Sequence, residues 1–170
     1  MFVRTEFAAG AWWQLVSAQW VHLSWLHAGV NLLGLVVLLV AFHGLVFARL
    51  QCIALVGGLA GVAAVLAMDQ DCAYYAGASG ALHGLLAGCA LSLILAPSQV
   101  APRRLRSRWL GWMVLAGLAL KLVWQQAVGV VATPGWLGIA TYYPAHTAGA
   151  LGGLLAISLV RGPRPAWFAR

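Results

Sequence analysis

Five apolar stretches, each close to the length of a membrane-spanning helix, make up most of this chain. They run over residues 28–46, 52–68, 76–96, 109–132 and 143–160. A helix that crosses the hydrocarbon core of a bilayer needs about 20 apolar residues. Only 8% of the residues are charged, against about 25% in a soluble domain. We therefore predict an all-α membrane protein, folded as a compact helical bundle with five spans in this chain.

The arginines indicate which side of the bundle faces the cytoplasm. Arg49 follows the first stretch, residues 97–108 contain four arginines, and the tail at 161–170 contains three more. Cationic loops stay on the cytoplasmic side, so these alternate turns are predicted to be cytoplasmic. The loop that contains Asp69 and Asp71 then faces outward. This topology signal accounts for the net charge of +7, and we expect the lipid bilayer, not nucleic acid, as the partner of the basic residues.

The first 27 residues are predicted to form a tryptophan-rich segment at the membrane interface, ahead of a bundle at 28–160 and a basic cytoplasmic tail at 161–170. Four tryptophans prefer the headgroup region: Trp12, Trp13, Trp20 and Trp25. An alternative is that they are belt aromatics at the mouth of the next helix. The predicted orientation places the N-terminus outside, so we expect either insertion of the first hairpin or an upstream helix in the natural protein.

Polar side chains enter three of the predicted spans at one depth. Polar groups inside a membrane are costly and mark function by default. His27 and Asn31 lie four residues apart, hence on one helix face. Ser79 and His146 each lie about three residues inside their own stretch. At 1.5 Å per residue, Asn31, Ser79 and His146 are all expected on the order of 5 Å below the outer helix ends.

Small residues follow a four-residue spacing on the two stretches that contain Ser79 and His146. Such stripes let helix backbones come into contact in lipid. Taken alone they are ordinary packing motifs, but here each flanks a reactive side chain. The two stripes predict that the Ser79 and His146 helices lie against each other, and they comprise Gly77, Gly80, Gly84 and Gly88 on one helix and Ala145, Gly149 and Gly153 on the other.

A serine and a histidine in contact can carry out acyl transfer, because the imidazole takes the hydroxyl proton. No carboxylate is available to orient His146, since the only acids are Glu6, Asp69 and Asp71. We therefore expect a Ser79/His146 dyad that needs no metal and no cofactor. The oxyanion could be stabilised by His27, by Asn31 and by the backbone at Gly77 and Gly80.

These motifs resemble those of the rhomboid intramembrane serine proteases. GASG at 77–80 is similar to their GxSG nucleophile motif, HAGVN at 27–31 to their HxxxN oxyanion motif, and AHTAGALGG at 145–153 to their AHxxGxxxG helix. His22 also matches a histidine that recurs in the family. The resemblance implies Ser79 as nucleophile, His146 as general base, and His27 with Asn31 as stabilisers of the tetrahedral intermediate. It also implies a six-span bundle whose first helix is missing here.

Two positions depart from the family pattern. The Trp-Arg pair of the first loop is Trp13-Gln14 here, and His83 replaces an aromatic that stacks on the catalytic histidine. His83 is either structural or a tuning partner of Ser79. The compact length and the sequence around His83 look most like rhombosortase. That subfamily processes proteins with a Gly-Gly-containing C-terminal membrane tail, so the partner would be the transmembrane helix of a membrane-anchored substrate.

Other residues and other functions stay open at this stage. Lys121 lies mid-span with Trp124 and Gln125 on the next turn, and the resemblance makes this helix a candidate substrate gate; a lysine held inside the bundle is the alternative. One competing function is an inactive rhomboid-fold protein that binds membrane helices. Another is a metal site or small transporter built from the histidines at 27, 83 and 146.

Overall fold

The computed structural model describes residues 1–96, 101–128 and 141–161. Helices dominate these residues, and the two strands are short. In chain order the elements are β1 (Phe2–Val3), α1 (Arg4–Ala8), α2 (Gln14–Ser17), α3 (Trp25–Phe42), α4 (Ala48–Met68), β2 (Tyr74–Tyr75), α5 (Ser79–Ile94), α6 (Ala101–Val128) and α7 (Tyr143–Arg161).

Three of the described helices, α3, α4 and α7, are long and apolar enough to cross a membrane. Helix α5 is equally apolar but has 16 residues. Helix α6 has 28 residues and is not among the three, because its first turns contain arginines and its last turns contain Lys121 and two glutamines. The all-α membrane bundle is confirmed. By length and composition, three of the five predicted spans qualify within the described residues.

Several predicted helix boundaries were wrong. Helix α3 spans Trp25–Phe42 and not residues 28–46, and α4 begins at Ala48 and not at residue 52, so Arg49 lies in its first turn. Helix α5 begins at Ser79 and not at residue 76, because Gly77 has φ +114°, a conformation that no α-helix contains. Helix α6 begins at Ala101, so the arginines at 103–108 belong to its first turns and not to a connecting loop. The predicted uncharged connection at 133–142 and the basic tail lie largely outside the described residues.

Close backbone contacts between α4, α5 and α7 form the centre of the bundle. A Cβ carbon on Gly80 would lie 2.7 Å from the Ala145 carbonyl oxygen, and one on Gly149 would overlap the Gly80 carbonyl group. This confirms the predicted approach of the Ser79 and His146 helices. Helix α4 joins them through glycines that the sequence analysis did not single out: Gly57, Gly58 and Gly61 meet the backbones of α5 and α7.

The N-terminal residues are tied to the loop that precedes α5. Strand β1 pairs antiparallel with β2, so that Phe2 lies opposite Tyr75, and the Phe2 side chain is fully buried. The Arg4 guanidinium donates to the Leu66 carbonyl at 2.6 Å and to the Asp69 carbonyl. These are carbonyls at the C-terminal end of α4, which a cation there satisfies. The start of the chain thus holds the end of the bundle at which α4 ends and α5 begins.

The tryptophan-rich segment contains only the short helices α1 and α2 before α3. All four of its tryptophans are exposed, with Trp25 at 94%. Gln14, by contrast, is buried: it accepts a hydrogen bond from the Val3 backbone at 2.8 Å and donates to the Glu6 carboxylate. Placement of the tryptophans at the lipid headgroups stays a prediction.

Candidate active site

Ser79 lies at the first turn of α5, at the end of a loop that is anchored on both sides. The Gly77 backbone N–H donates to the Ala18 carbonyl at 3.0 Å, and the Gly77 carbonyl accepts from the Tyr75 hydroxyl at 2.9 Å. The amide of Gly77 is therefore already paired, and the glycine contributes its backbone conformation instead. The loop fixes where the Ser79 hydroxyl points.

The Ser79 hydroxyl oxygen lies 2.9 Å from His146 Nε2. His146 is on the second turn of α7, with 5% of its surface exposed. The contact is possible because Gly80 and Gly149 have no side chains, so that the backbones of α5 and α7 touch. A serine hydroxyl and an imidazole at this separation can exchange a proton.

The other ring nitrogen of His146 faces α6. Its Nδ1 lies 3.1 Å from the Gln125 side-chain oxygen. One residue further along α6, the Gln126 amide donates to the Thr147 hydroxyl at 3.2 Å. Helix α6 thus contacts both the histidine and the residue that follows it.

His83 lies on α5 one turn after Ser79 and covers one face of the His146 ring. The two imidazoles stack at a centroid distance of 4.1 Å with 12° between their planes. His83 Nδ1 lies 2.7 Å from the Ser79 carbonyl oxygen, which only accepts, so Nδ1 carries the proton. His83 Nε2 is then free to accept from the Lys121 ammonium, which contacts it.

His27 and Asn31 are both buried on α3, facing the Ser79 loop. The Asn31 amide donates to the His27 carbonyl at 3.0 Å and retains a second N–H. A Cβ carbon on Gly77 would lie 2.7 Å from the His27 ring, so only glycine fits there. The His22 ring packs edge-on against His27 at 4.9 Å and supports it from behind.

One cavity of about 140 Å³ joins these groups. The serine, His146, His27 and Asn31 all contribute to its wall. Its remaining wall is formed by Leu23, Val30, Tyr74, Tyr75, Ala76, Thr141 and Tyr142. The wall of this small cavity therefore places a hydroxyl nucleophile beside a base.

Sequence reasoning missed two tyrosines at this site. Tyr75 holds the Gly77 carbonyl, and burial raises its pKa to about 12, with the Gly80 amide and the Ser79 side chain acting against the rise. Tyr142 lines the cavity and donates to the Asp69 carboxylate. Burial, together with that bond, raises the pKa of Tyr142. Their only sequence signal is position: each precedes a reactive residue, Ser79 or His146, by four.

Asp69 is partly buried at the end of α4 and does not line the cavity. The hydrogen bond from Tyr142, followed by the one from the Asp71 backbone, holds the pKa of its carboxyl below the usual value. The carboxylate therefore acts on the site indirectly, through the tyrosine.

Among the other predicted residues, Gly80 packs against Ala145 and Val62, while Trp124 has 68% of its surface exposed and does not line the cavity. Across residues 1–96, 101–128 and 141–161, no three His, Cys, Asp or Glu side chains are arranged to hold a metal ion. The histidine cluster at 27, 83 and 146 thus lacks the geometry of a metal centre.

Comparison with protein families gives one match. The model of the Rhomboid domain matches residues 9–163, nearly the whole chain. Neither the curated proteins nor the solved structures include a match to the chain.

Proposed function

The chain belongs to the rhomboid family, and from this premise we propose that it is an intramembrane serine endopeptidase that cleaves single-span membrane proteins near the outer membrane face. It is an integral membrane protein, and its family acts on membrane-embedded substrates. The observation that carries the proposal is the 2.9 Å contact between the Ser79 hydroxyl and His146 Nε2. Besides a nucleophile and a base, acyl transfer needs hydrogen-bond donors for the oxyanion, and other residues of the cavity can supply them.

In this mechanism the Ser79 oxygen attacks the scissile carbonyl while His146 Nε2 takes the hydroxyl proton. Collapse of the tetrahedral intermediate breaks the C–N bond, and the imidazolium returns that proton to the leaving amine. Water then attacks the acyl-enzyme, again losing a proton to Nε2, and Ser79 is released. The proton that His146 takes in each half-reaction returns to a product or to the serine.

The negative oxygen of the intermediate needs hydrogen-bond donors placed in advance. The second N–H of the Asn31 amide and the His27 ring face the cavity from α3. The first backbone N–H groups of a helix have no partner within it, so the Ser79 N–H at the first turn of α5 adds a donor from the opposite side, while the Gly80 N–H is hydrogen-bonded to Tyr75. Because Gly77 has no Cβ carbon, the His27 ring can lie directly beside it.

The size of the cavity supports a substrate with small residues at the cut. A volume of about 140 Å³ accommodates an extended backbone with minimal side chains. Gly also weakens a substrate helix, by about 1 kcal/mol relative to Ala, so that a peptide bond can be exposed. We propose rhombosortase-like processing of C-terminal tails with a Gly-Gly pair.

The charges support an orientation with the active site outward. Helix α4 has Arg49 at its first turn and Asp69 just after its end, and α5 begins at the Asp69 side of the bundle. Cationic turns stay in the cytoplasm. We place the protein in a bacterial inner membrane, with Ser79 toward the periplasm.

The test is cleavage of a reconstituted single-span substrate whose tail contains a Gly-Gly pair. Ser79→Ala and His146→Ala should each abolish cleavage, and a fluorophosphonate should label the parent but not Ser79→Ala. Ser92→Ala is the matched control, since Ser92 is buried on the same helix and away from the cavity. Cleavage that persists in either active-site variant would overturn the dyad.

The same assay tests the alternative of an inactive rhomboid-fold protein. A parent that retains the substrate helix but neither cleaves it nor takes up the fluorophosphonate would be an inactive rhomboid-fold binder. Substrate preference has its own comparison: replacing the Gly-Gly pair with Val-Val should abolish cleavage, and equal cleavage of both substrates would exclude the rhombosortase-like preference.

A further inference from the structure

We propose that Gln125 is a positioning residue for His146. The side-chain oxygen of Gln125 accepts a hydrogen bond from the Nδ1–H of His146 and so keeps Nε2 directed at Ser79. The distances along this relay are 3.1 Å from Gln125 Oε1 to His146 Nδ1 and 2.9 Å from His146 Nε2 to the Ser79 oxygen. The proposal rests on the proposed function, because it names a third member of the same site.

The hydrogen-bonding capacity of the three side chains fixes the direction of the relay. A neutral imidazole has one N–H and one bare nitrogen, and the bond made by one nitrogen decides the state of the other. A base for Ser79 needs a bare Nε2, so Nδ1 must carry the proton. The Gln125 oxygen only accepts, and it therefore stabilises the tautomer that proton transfer requires.

An amide fits this position better than a carboxylate would. Gln125 is half-buried, and an amide oxygen there needs only one donor, whereas a carboxylate withdrawn from water needs a paired charge. The three acids lie elsewhere: Glu6 accepts from Gln14, Asp69 accepts from Tyr142, and Asp71 is exposed in the loop after α4. An amide in this role is known from proteases with a Cys-His-Asn arrangement. Gln125 orients His146 without adding a negative charge to the site.

Helix α6 is held so that Gln125 stays in reach. Near its first turns a Cβ carbon on Gly111 would lie 2.6 Å from the Ala90 carbonyl oxygen of α5, so the two backbones are in close contact there. At the other end Lys121 and Gln125 are four residues apart, on one helix face. Lys121 contacts His83, which covers one ring face of His146. One face of α6 therefore supports His146 in two ways. Gln125 contacts the edge of the His146 ring, and Lys121 contacts His83, which stacks on that ring.

Three variants of the full chain in proteoliposomes separate orientation from packing. Gln125→Leu keeps the bulk but removes the acceptor, and should lower kcat about 10- to 100-fold with KM unchanged. Gln125→Glu restores an acceptor but adds a charge, and should recover part of the kcat that Gln125→Leu loses. Gln126→Leu is the matched control, because Gln126 is exposed and bonds only to Thr147 among the described contacts; its kcat should stay within about twofold of the parent.

A second readout does not depend on cleavage. The chain has five histidines, so ¹⁵N-histidine NMR of the solubilised protein can identify His146 by its loss in His146→Ala. The parent should show His146 protonated at Nδ1, and Gln125→Leu should lose that preference. A parent His146 protonated at Nε2, or a Gln125→Leu variant with parental kcat, would overturn the proposal. Failure of the parent to cleave while its His146 keeps the Gln125-dependent Nδ1 proton would instead overturn the proposed function alone.

Discussion

The backbone of Gly149 lies directly against the carbonyl group of Gly80, and this contact sets the separation of α5 and α7. This contact lies within one turn of the reactive side chains, since Ser79 comes directly before Gly80 and His146 comes three residues before Gly149. Any group added between these backbones must move the hydroxyl away from the imidazole.

Gly149→Ala should therefore abolish or strongly reduce cleavage and lower the stability of the bundle by about 1–3 kcal/mol, the usual cost of overpacking. Gly117→Ala on α6 is the control, because a Cβ carbon there meets nothing within 4 Å and alanine favours a helix. Thermal unfolding in detergent and the proteoliposome assay measure the two effects. Parental activity in Gly149→Ala would show that the contact does not position the pair.

Gly77→Ala tests the space beside His27. The variant combines the strain of a positive φ with a collision, because its Cβ carbon would lie 2.7 Å from the His27 ring. We expect at least a 10-fold loss of kcat, through displacement of an oxyanion donor. Gly10→Ala isolates the strain, since Gly10 has φ +105° and open space around it. If both variants lose kcat equally, the His27 contact contributes nothing.

The sequence was most informative where the spacing within one short motif determines which residues share a helix face. The four-residue spacing of His27 and Asn31 predicted that both lie on one helix face, and the glycines beside Ser79 and His146 predicted that their two helices approach each other. Backbone contacts between small residues are local to each motif, so they can be inferred before any fold is known. The start of α5 was misplaced because hydropathy continues through residues 76–78, whereas the positive φ of Gly77 ends the loop there.

Residues whose role depends on another element could not be assigned in the same way. Gln125 was considered as part of a substrate gate, a prediction that stays open, and its contact with His146 arises only from the docking of α6. Tyr75 and Tyr142 act through the Gly77 carbonyl and the Asp69 carboxylate. Nothing in the spacing along the chain reveals these partners, because they lie on separate elements.

Tyr75→Phe tests the anchoring of the nucleophile loop. The change removes the donor to the buried Gly77 carbonyl, which should cost about 1–3 kcal/mol of stability and reduce kcat by disordering the approach to Ser79. Because the pKa of Tyr75 is raised to about 12, the hydroxyl keeps its proton through the neutral range and the defect should not vary between pH 6 and 9. Tyr74→Phe is the control, since Tyr74 lies on the same strand and in the same cavity wall, whereas the bond to the Gly77 carbonyl comes from Tyr75. Equal activity in the two variants would exclude the anchoring role.

Asp69→Asn tests the link between the loop that follows α4 and Tyr142. The carboxyl of Asp69 has a lowered pKa, chiefly from the Tyr142 hydrogen bond. A carboxyl whose pKa is lower in the folded protein contributes stability that is present above its ordinary pKa and is lost as the pH falls through the lowered one. The parent should therefore lose stability on acidification below about pH 4, and Asp69→Asn should lose less over the same interval. Asp71→Asn serves as the control, because Asp71 offers Asp69 only its backbone N–H. Thermal unfolding in detergent between pH 7 and 3 measures the difference, and parallel curves for the parent and Asp69→Asn would contradict the link.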